Sequence, residues 1–327
     1  MADRIPLLCI VGPTATGKTE IAIDVARRLG GEIVSADSMQ IYRRMDIGTA
    51  KPTAAEREQA AFHLIDFVEP DQPYSVQQYQ GAAEAAIRSI HQRGALPILC
   101  GGTGLYVSAV LDHYVFPPGD GTEGIREQLE EDARRHGPQA LHRRLHEIDP
   151  DTAARTSPQD IKRVIRALEV FALTGEAISR AASVDPHSEM QYTVAVFGIS
   201  MPRAGLYHRI EQRVDAMMDA GLLDEVAGLL RDGYGRHLQA MQAIGYRQLA
   251  AHLAGETSLS DGVAAVKRDT RRYAKRQLTW LRRDERVRWI DVLQHGGAQE
   301  VAGAIAAKWR DTLAQAAGRL CDTDGEG

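Results

Sequence analysis

Short apolar runs alternate with amphipathic segments along the first hundred residues. Residues 7–11, 32–35 and 96–100 form short apolar runs next to turn residues, a pattern typical of buried strands. Between them, apolar residues recur every three or four positions and predict helices over residues 18–29 and 75–93. Strands that alternate with helices in this way predict a parallel sheet covered by helices on both faces.

The pattern changes after Phe116, where Pro-Pro-Gly-Asp-Gly interrupts the chain. Residues 122–180 are charged and helical in pattern without a recognisable strand, and residues 183–191 are polar and are predicted to be a linker. An apolar strand follows at residues 192–199, and residues 203–293 are predicted to be mostly helical. We therefore predict an α/β core of residues 1–117 and 191–318, a helical insertion domain of residues 118–190, and a disordered tail of residues 319–327.

One glycine-rich turn carries the clearest chemical signal. It matches the P-loop pattern G-x-x-x-x-G-K-[ST] at every fixed position and lies between a predicted strand and a predicted helix. Backbone N–H groups of such a loop surround phosphate oxygens, the lysine adds a positive charge, and the final hydroxyl can bind Mg²⁺. The predicted phosphate-binding residues are Gly12, Pro13, Thr14, Ala15, Thr16, Gly17, Lys18 and Thr19.

A P-loop alone does not distinguish kinases from other enzymes that bind phosphates. A kinase or hydrolase usually adds an apolar strand that ends in an acidic residue, whereas the run at 96–100 leads into Gly101-Gly102-Thr103-Gly104. Asp37 instead follows the strand at 32–35, at the sheet edge where open parallel sheets bind ligands. An aspartate in this place can also simply cap the following turn.

Composition and charge limit the possible classes of protein. The chain has 327 residues, of which 44% are hydrophobic and 25% charged, and a net charge of −5. These values are typical of a globular protein, and no apolar run reaches the length of a membrane span or a signal peptide. The three cysteines lack metal-ligand spacing and indicate a reducing compartment, so we expect a cytoplasmic protein without membrane contact.

A basic segment near the carboxyl end stands out in this acidic chain. Residues 267–283 hold eight lysines and arginines and the single acid Asp269, with Tyr273 and Trp280 among them. Many of the basic residues recur at spacings of three and four, which places them on one helical face. Such a face can be merely solvated, or it can bind the phosphate backbone of a nucleic acid.

Several longer motifs occur together and in a fixed order: GPTATGKT, DSMQIYRRMDIGTAKP, HLID, GGTGLY, KRVIRALEV, AIGYRQ and AKRQLTWLR. In this combination the chain resembles the bacterial tRNA dimethylallyltransferases over about residues 5–290. The resemblance implies an enzyme with a P-loop NTPase-like parallel sheet flanked by helices and with a helical insertion domain.

The resemblance also implies a reaction. The P-loop would hold the diphosphate of dimethylallyl diphosphate together with Mg²⁺, which Thr19 would ligate, and Arg213 would bind phosphate. The target adenosine, next to the anticodon of tRNA, would be flipped out of its loop, and its exocyclic amine would attack the first prenyl carbon. Asp37 would be the catalytic base, and Thr103 would hold the oxygen that bridges the prenyl group and the diphosphate.

The resemblance further implies which residues contact the tRNA anticodon stem-loop. They are Asp37, Ser38, Met39, Gln40, Thr103, Arg126, Lys162, Arg163, Val164, Ile165, Arg166, Gln242, Ala243, Ile244, Gly245, Tyr246, Arg247, Lys275, Arg276, Gln277 and Arg282. Gln40 suits the paired donor and acceptor edge of adenine. One departure lies at residues 157–160, where Ser-Pro-Gln-Asp replaces the usual His-Pro-Asn-Asp of the family and puts the RNA contact there in question.

Two other functions are compatible with parts of the sequence. A P-loop small-molecule kinase would bind ATP and form a phosphorylated product, and a non-catalytic RNA-binding module would use only the basic segment. The presence of Lys18, Thr19, Asp37 and Thr103 together favours an enzyme over the second. We expect a monomer, because one chain supplies every element that the reaction needs.

Overall fold

A parallel sheet lies at the centre of the structure, a computed structural model that describes residues 4–114, 116, 123–181 and 192–323. In these residues six strands pair in the order β3-β2-β4-β1-β5-β6, all parallel. The strands are β1 (Ile5–Val11), β2 (Gly31–Ala36), β3 (Phe62–His63), β4 (Leu96–Gly101), β5 (Tyr192–Ser200) and β6 (Val287–Asp291).

Helices connect the strands and cover the sheet. Those of the first part of the chain are α1 (Lys18–Leu29), α2 (Ala54–Gln59), α3 (Val76–Gln92) and α4 (Gly104–Leu111). They are followed by α5 (Glu123–His136), α6 (Pro138–Ile148), α7 (Pro150–Arg155), α8 (Ile161–Thr174) and α9 (Ile178–Ala181). After β5 come α10 (Arg203–Asp219), α11 (Leu222–Arg231), a 3₁₀ turn (Ala240–Gln242), α12 (Tyr246–Leu253), α13 (Leu259–Leu281) and α14 (Ala298–Thr323).

Both faces of the sheet are buried, which explains why its strands are apolar runs rather than alternating ones. On one face α1 and α14 pack against the sheet, with Trp309 of α14 among the largest buried side chains. On the other face α3 and α4 contribute Tyr79 and Tyr106, whose rings stack with centroids 3.8 Å apart. A third apolar cluster joins α11 and α12 to residues 41–47 and includes Met45 and Tyr246.

The described residues fall into two compact units. The first consists of residues up to Leu111 and from Tyr192 onward, and contains the sheet. The second, within residues 112–181, consists of α5 to α9 around a core that includes Leu129, Leu145 and Leu168. The predicted linker at 183–191 lies entirely outside the described residues.

The predicted fold class, a P-loop-like parallel sheet flanked by helices, is confirmed. Three details differ from the sequence predictions. Strand β6 lies inside the segment that was predicted to be mostly helical, and the two-residue strand β3 was not predicted. Helix α14 continues to Thr323, so the tail expected from residue 319 is helical up to that point, and residues 324–327 lie outside the described part. Within the described residues, no helix combines the length and the apolar character that crossing a membrane requires.

Candidate active site

The phosphate loop connects β1 to α1 in the geometry that its sequence predicts. Gly17 adopts a positive φ of 85° immediately before the first turn of α1, a conformation that glycine adopts without strain. The Thr16 hydroxyl is buried and donates to the Pro13 carbonyl at 2.9 Å, so this side chain holds the loop together instead of facing a ligand. Lys18 Nζ lies 3.4 Å from the same carbonyl.

Lys18 and Arg213 concentrate positive charge beside this loop. Burial lowers the pKa of Lys18, and the nearby Arg213 lowers it further while Asp37 raises it. Burial also lowers the pKa of Arg213, which Asp37 partly offsets. Two partly buried cations that repel each other and line one cavity form a favourable site for a polyanion.

Asp37 follows β2, and its two carboxylate oxygens have different surroundings. Oδ1 accepts hydrogen bonds from the backbone N–H groups of Met39 at 2.9 Å and Gln40 at 3.4 Å. This is the turn-capping role that the sequence left open. Within the described residues Oδ2 has no hydrogen-bond partner, so it is available to a ligand.

The glycine turn after β4 lies against the Asp37 segment. The Thr103 hydroxyl oxygen accepts a hydrogen bond from the Ser38 backbone N–H at 3.1 Å and lies 3.5 Å from the Ser38 hydroxyl. Burial raises the pKa of the neighbouring Tyr273 to about 12, and Asp37 raises it too, whereas Thr103 and Gln277 lower it. The structure therefore brings Asp37, Ser38, Thr103 and Tyr273 together.

Gln277 of α13 connects the phosphate loop to the glycine turn. Its Oε1 accepts a hydrogen bond from the Thr14 backbone N–H at 3.0 Å, and its Nε2 donates to the Gly102 carbonyl at 2.9 Å. Any side chain at position 102 would collide with that amide. Gln277 is only 5% exposed, so both of its amide groups are engaged within the site, where it also lines one of the two cavities described below.

Two cavities meet at Asp37. The phosphate-loop cavity, about 790 Å³, is lined by Lys18, Thr19 and other P-loop residues. The arginine cavity, about 680 Å³, is lined by residues of α13 and of the segment 242–247. The residues that line both cavities are Thr14, Asp37, Thr49, Ala50, Arg213 and Met217.

Several predicted RNA-contacting residues line the arginine cavity. They are Asp37, Ser38, Met39, Gln242, Ala243, Ile244, Gly245, Arg247, Arg276 and Gln277. Arg268 and Arg272, two of the basic residues in the segment 267–283, line the cavity as well. Lys275 and Arg282 are exposed, and neither they nor Arg276 form an ion pair with the described residues.

Two other predicted RNA-contacting residues, Gln40 and Tyr246, use their side-chain polar groups in hydrogen bonds within the protein. The Gln40 amide accepts from the Ser35 hydroxyl at 3.1 Å and donates to the Thr49 and Ala50 carbonyls, so its adenine-reading groups are already bonded. Tyr246 is fully buried, and its hydroxyl donates to Glu225 at 2.6 Å. Both side chains therefore stabilise the site through bonds within the protein, and Gln40 also lines the phosphate-loop cavity.

The second unit contains the remaining predicted contacts. Lys162 and Arg163 are exposed at the start of α8, whereas the side chains of Val164 and Ile165 point into the core of this unit. Buried side chains of this kind stabilise the helix and cannot themselves contact RNA.

Arg126 and Arg166 share one buried partner in the same unit. The side chain of Glu169 is 0% exposed and accepts two hydrogen bonds from Arg126, at 2.8 and 3.0 Å, and one from Arg166 at 3.3 Å. The side chains of Arg126 and Arg166 remain 51% and 36% exposed. Glu169 therefore orients two accessible cations, a role that the helical pattern alone does not reveal.

Asp269, the acid within the basic segment, has a comparable role in the arginine cavity. Its carboxylate lies within 3.5 Å of Arg247, Arg268 and Arg272 and accepts from the buried Gln248 amide at 2.9 Å. The Gln248 hydrogen bond and the arginines hold the pKa of Asp269 below its usual range despite some burial.

Family models match most of the chain. A model described as IPP transferase matches residues 40–284, and a model described as isopentenyl transferase matches residues 5–66. The tRNA dimethylallyltransferase of Desulforudis audaxviator is 50% identical over 304 residues, covering 92% of this chain and 97% of the relative. That of Symbiobacterium thermophilum is 47% identical over 310 residues, covering 94% and 97%.

Solved structures agree with this result. The tRNA isopentenylpyrophosphate transferase of Bacillus halodurans is 42% identical, with a TM-score of 0.68 and coverage of 95% of this chain and 98% of that one. A eukaryotic dimethylallyltransferase acting on tRNA is 25% identical, with a TM-score of 0.76 and coverage of 96% and 77%. The chain therefore belongs to the IPP transferase family.

Proposed function

We propose that this protein transfers a dimethylallyl group from dimethylallyl diphosphate to the exocyclic amine of the adenosine next to the anticodon in tRNA. The observation that carries the proposal is the meeting of two cavities at Asp37: one surrounds the phosphate loop, and the other is lined by arginines. An anionic donor and an RNA base that enter from the two cavities would meet beside its carboxylate. The family of the chain supports the same reaction.

In the proposed reaction, the amine nitrogen forms a bond to the first prenyl carbon as the bond from that carbon to oxygen breaks. The departing diphosphate takes the electron pair, and Lys18, Arg213 and the loop N–H groups stabilise its charge. Asp37 Oδ2 accepts the proton that the amine loses. Thr103 accepts a hydrogen bond from the Ser38 N–H and so holds the segment that carries Asp37; in the proposed reaction its hydroxyl would bind the bridging oxygen.

The residues beside the phosphate loop suit a Mg²⁺ ion that is coordinated mainly by the diphosphate of the substrate. Thr19 lines the phosphate-loop cavity beside Lys18 and Arg213, and no described residue hydrogen-bonds its hydroxyl. Among the described residues, no group of three histidine, cysteine or acidic side chains could hold a metal without further ligands. Mg²⁺ typically takes one or two protein ligands and completes its shell with phosphate oxygens and water. When bound, it would neutralise charge on the diphosphate.

The RNA partner would be the tRNA anticodon stem-loop. Lys275, Arg276 and Arg282, which no described acid pairs with, are suited to the phosphate backbone. Arg126, Lys162 and Arg166 of the second unit are suited to the same kind of contact. The base itself would enter the arginine cavity, lined by residues 242–245. We propose a monomer that works in the cytoplasm, where its tRNA substrate is found.

The test is transfer of radiolabelled prenyl group from dimethylallyl diphosphate to unmodified tRNA, with Mg²⁺, by the wild type and two Asp37 variants. Asp37→Ala removes the base and should lower the rate by about 10²–10⁴-fold. Asp37→Asn keeps an oxygen for the Met39 and Gln40 N–H groups, and should be as inactive if proton removal is the main role. Activity restored by asparagine would assign Asp37 to turn capping alone.

Absence of transfer by the wild type would reject the proposed function. Turnover of ATP in the same preparation would then favour a kinase, and tight tRNA binding without any turnover would favour an RNA-binding module.

A further inference from the structure

The segment 45–52 forms the wall between the two cavities. Thr49 and Ala50 line both cavities, Asp46 and Ile47 line the phosphate-loop cavity, and Gly48 lines the arginine cavity. The segment lies outside any helix or strand, so its backbone position depends on contacts with neighbouring elements.

Glu225 of α11 holds this wall from one side. Its Oε2 accepts hydrogen bonds from the backbone N–H groups of Asp46 at 2.9 Å and Ile47 at 2.8 Å, and its Oε1 accepts from Gly48 at 3.2 Å. Three successive N–H groups that converge on one anion form the concave nest that proteins use to bind phosphates. Here the anion is a side chain of the protein itself, and the bonds are charge-assisted and therefore strong.

Tyr246 of α12 fixes Glu225 and packs against the wall at the same time. Its hydroxyl donates to Glu225 Oε1 at 2.6 Å, and burial together with Glu225 raises the pKa of Tyr246. A Cβ atom at position 48 would come within 2.5 Å of the Tyr246 ring. Since that ring is fully buried, only glycine allows the wall to approach this closely.

The opposite side of the wall is held by different groups. Gln40 Nε2 donates to the Thr49 and Ala50 carbonyls at 3.3 and 3.1 Å. The buried Lys51 ammonium donates to the Tyr42 carbonyl and to the carboxylates of Asp46 and Asp66. The backbone N–H groups of residues 46–48 are thus bonded to Glu225, and the backbone carbonyls of residues 49 and 50 to Gln40. The backbone polar groups of the wall are satisfied by side chains from separate parts of the chain.

We propose that Glu225 is a positioning residue for prenyl transfer, one that sets the wall between the donor and the base through its bonds to residues 46–48. The inference rests on the proposed function of the same site. Glu225 lines neither cavity, so it acts on the reaction only through the backbone that it holds. Because misplacement by about 1 Å can lower the rate of an oriented reaction about 10²-fold, loss of this carboxylate should lower kcat more than it changes binding.

Glu225→Gln tests this idea with the smallest change in shape. The amide keeps one acceptor oxygen but turns an NH₂ group toward backbone donors, so at least one N–H of the wall loses its partner. We expect kcat to fall about 10- to 100-fold, with tRNA affinity and the donor KM changed by a factor of about three at most, within the scatter of such effects. Tyr246→Phe removes one bond to Glu225 and should produce a smaller decrease in kcat.

Amide hydrogen exchange supplies a readout that does not depend on activity. In Glu225→Gln, the peptide that covers residues 45–50 should exchange faster, and the peptides of β1 and α1 should keep the rates of the wild type. The matched control is Asp291→Asn, because the Asp291 carboxylate also accepts a backbone N–H, from Leu293 at 2.9 Å, and lies outside both cavities. This control should keep the wild-type kcat and the wild-type exchange at residues 45–50.

The outcomes separate the two proposals. An active wild type with an equally active Glu225→Gln variant would overturn the role of Glu225 and leave the proposed function intact. A decrease in kcat with faster exchange throughout the first unit would also overturn it, because Glu225 would then be a general stabiliser. A wild type without any transfer would reject the proposed function and, with it, this inference.

Discussion

At the scale of single residues, the arrangement of charge around the phosphate loop has a consequence for pH. Lys18 must be protonated to bind an anion, and its pKa is lowered by burial and by the neighbouring Arg213. As pH rises, the free protein therefore loses this proton earlier than a solvated lysine would. A bound diphosphate stabilises the protonated form, so the affinity for the donor should fall with pH.

Calorimetric titration of dimethylallyl diphosphate between about pH 8 and 10 measures this effect, because the donor itself is then fully ionised while lysines begin to titrate. We expect the dissociation constant for the donor to rise with pH. Well above the pKa of Lys18, the increase should approach about tenfold for each pH unit. Lys18→Met should bind weakly, with a flat pH profile. A wild-type profile that is as flat as that of the variant would show that Lys18 does not bind the diphosphate.

The positions of the candidate residues in the structure follow from the sequence to different degrees. The P-loop residues and Asp37 lie together as their motifs require, because the pattern itself determines the local backbone. Gln40, Val164 and Tyr246 lie in the expected segments, but their side chains bond or pack inside the protein. A motif identifies a segment, whereas the direction of each side chain depends on tertiary contacts that spacing does not encode.

At the scale of elements, helix α13 has two faces with separate tasks. The outer face carries Lys275 and Arg276, and the inner face carries Gln277, which joins the phosphate loop to the glycine turn. Gln277→Ala leaves the Thr14 N–H and the Gly102 carbonyl without partners, which costs about 1–3 kcal/mol per buried group. We expect a lower melting temperature and a donor KM raised about tenfold, the effect of losing about 1.4 kcal/mol of binding.

Binding of tRNA distinguishes this role from the direct RNA contact that the family motif implies for Gln277. Gln277→Ala should bind tRNA with nearly wild-type affinity, whereas Arg276→Ala, on the outer face, should weaken tRNA and leave the donor KM unchanged. Fluorescence anisotropy with a labelled anticodon stem-loop measures both variants. Loss of tRNA affinity in Gln277→Ala at an unchanged donor KM would assign the residue to the RNA after all.

The elements that sequence analysis missed are the shortest and the most exposed. Strand β3 has two residues, too few for any period to be visible. Strand β6 lies at the edge of the sheet, and only Val287 and Ile290 of its five residues are buried. Because buried and exposed residues do not alternate strictly in this strand, its sequence could not be distinguished from a continuation of the preceding helix. The four central strands were predicted because burial on both faces makes them continuous apolar runs.

At the scale of the whole molecule, the net charge of −5 opposes the approach of tRNA. Attraction must therefore come from local clusters of cations that act within a Debye length, about 8–10 Å at physiological salt. Lys275, Arg276 and Arg282 lie close together in sequence at the carboxyl end of α13, and no described acid pairs with them. Most other arginines of α13 are paired with acids, as Arg271 is with Glu211.

The salt dependence of tRNA binding tests whether Lys275, Arg276 and Arg282 neutralise RNA phosphates. Each cation that neutralises an RNA phosphate contributes about 0.7–0.9 to the slope of log K against log salt concentration. Replacing Lys275, Arg276 and Arg282 by alanine should therefore lower the slope by about two to three. The matched control replaces three exposed cations outside both cavities, Arg27, Lys308 and Arg310, and changes the net charge equally. If the two triple variants reduce the slope to the same extent, tRNA binding depends on total charge, and the cluster on α13 has no special part in it.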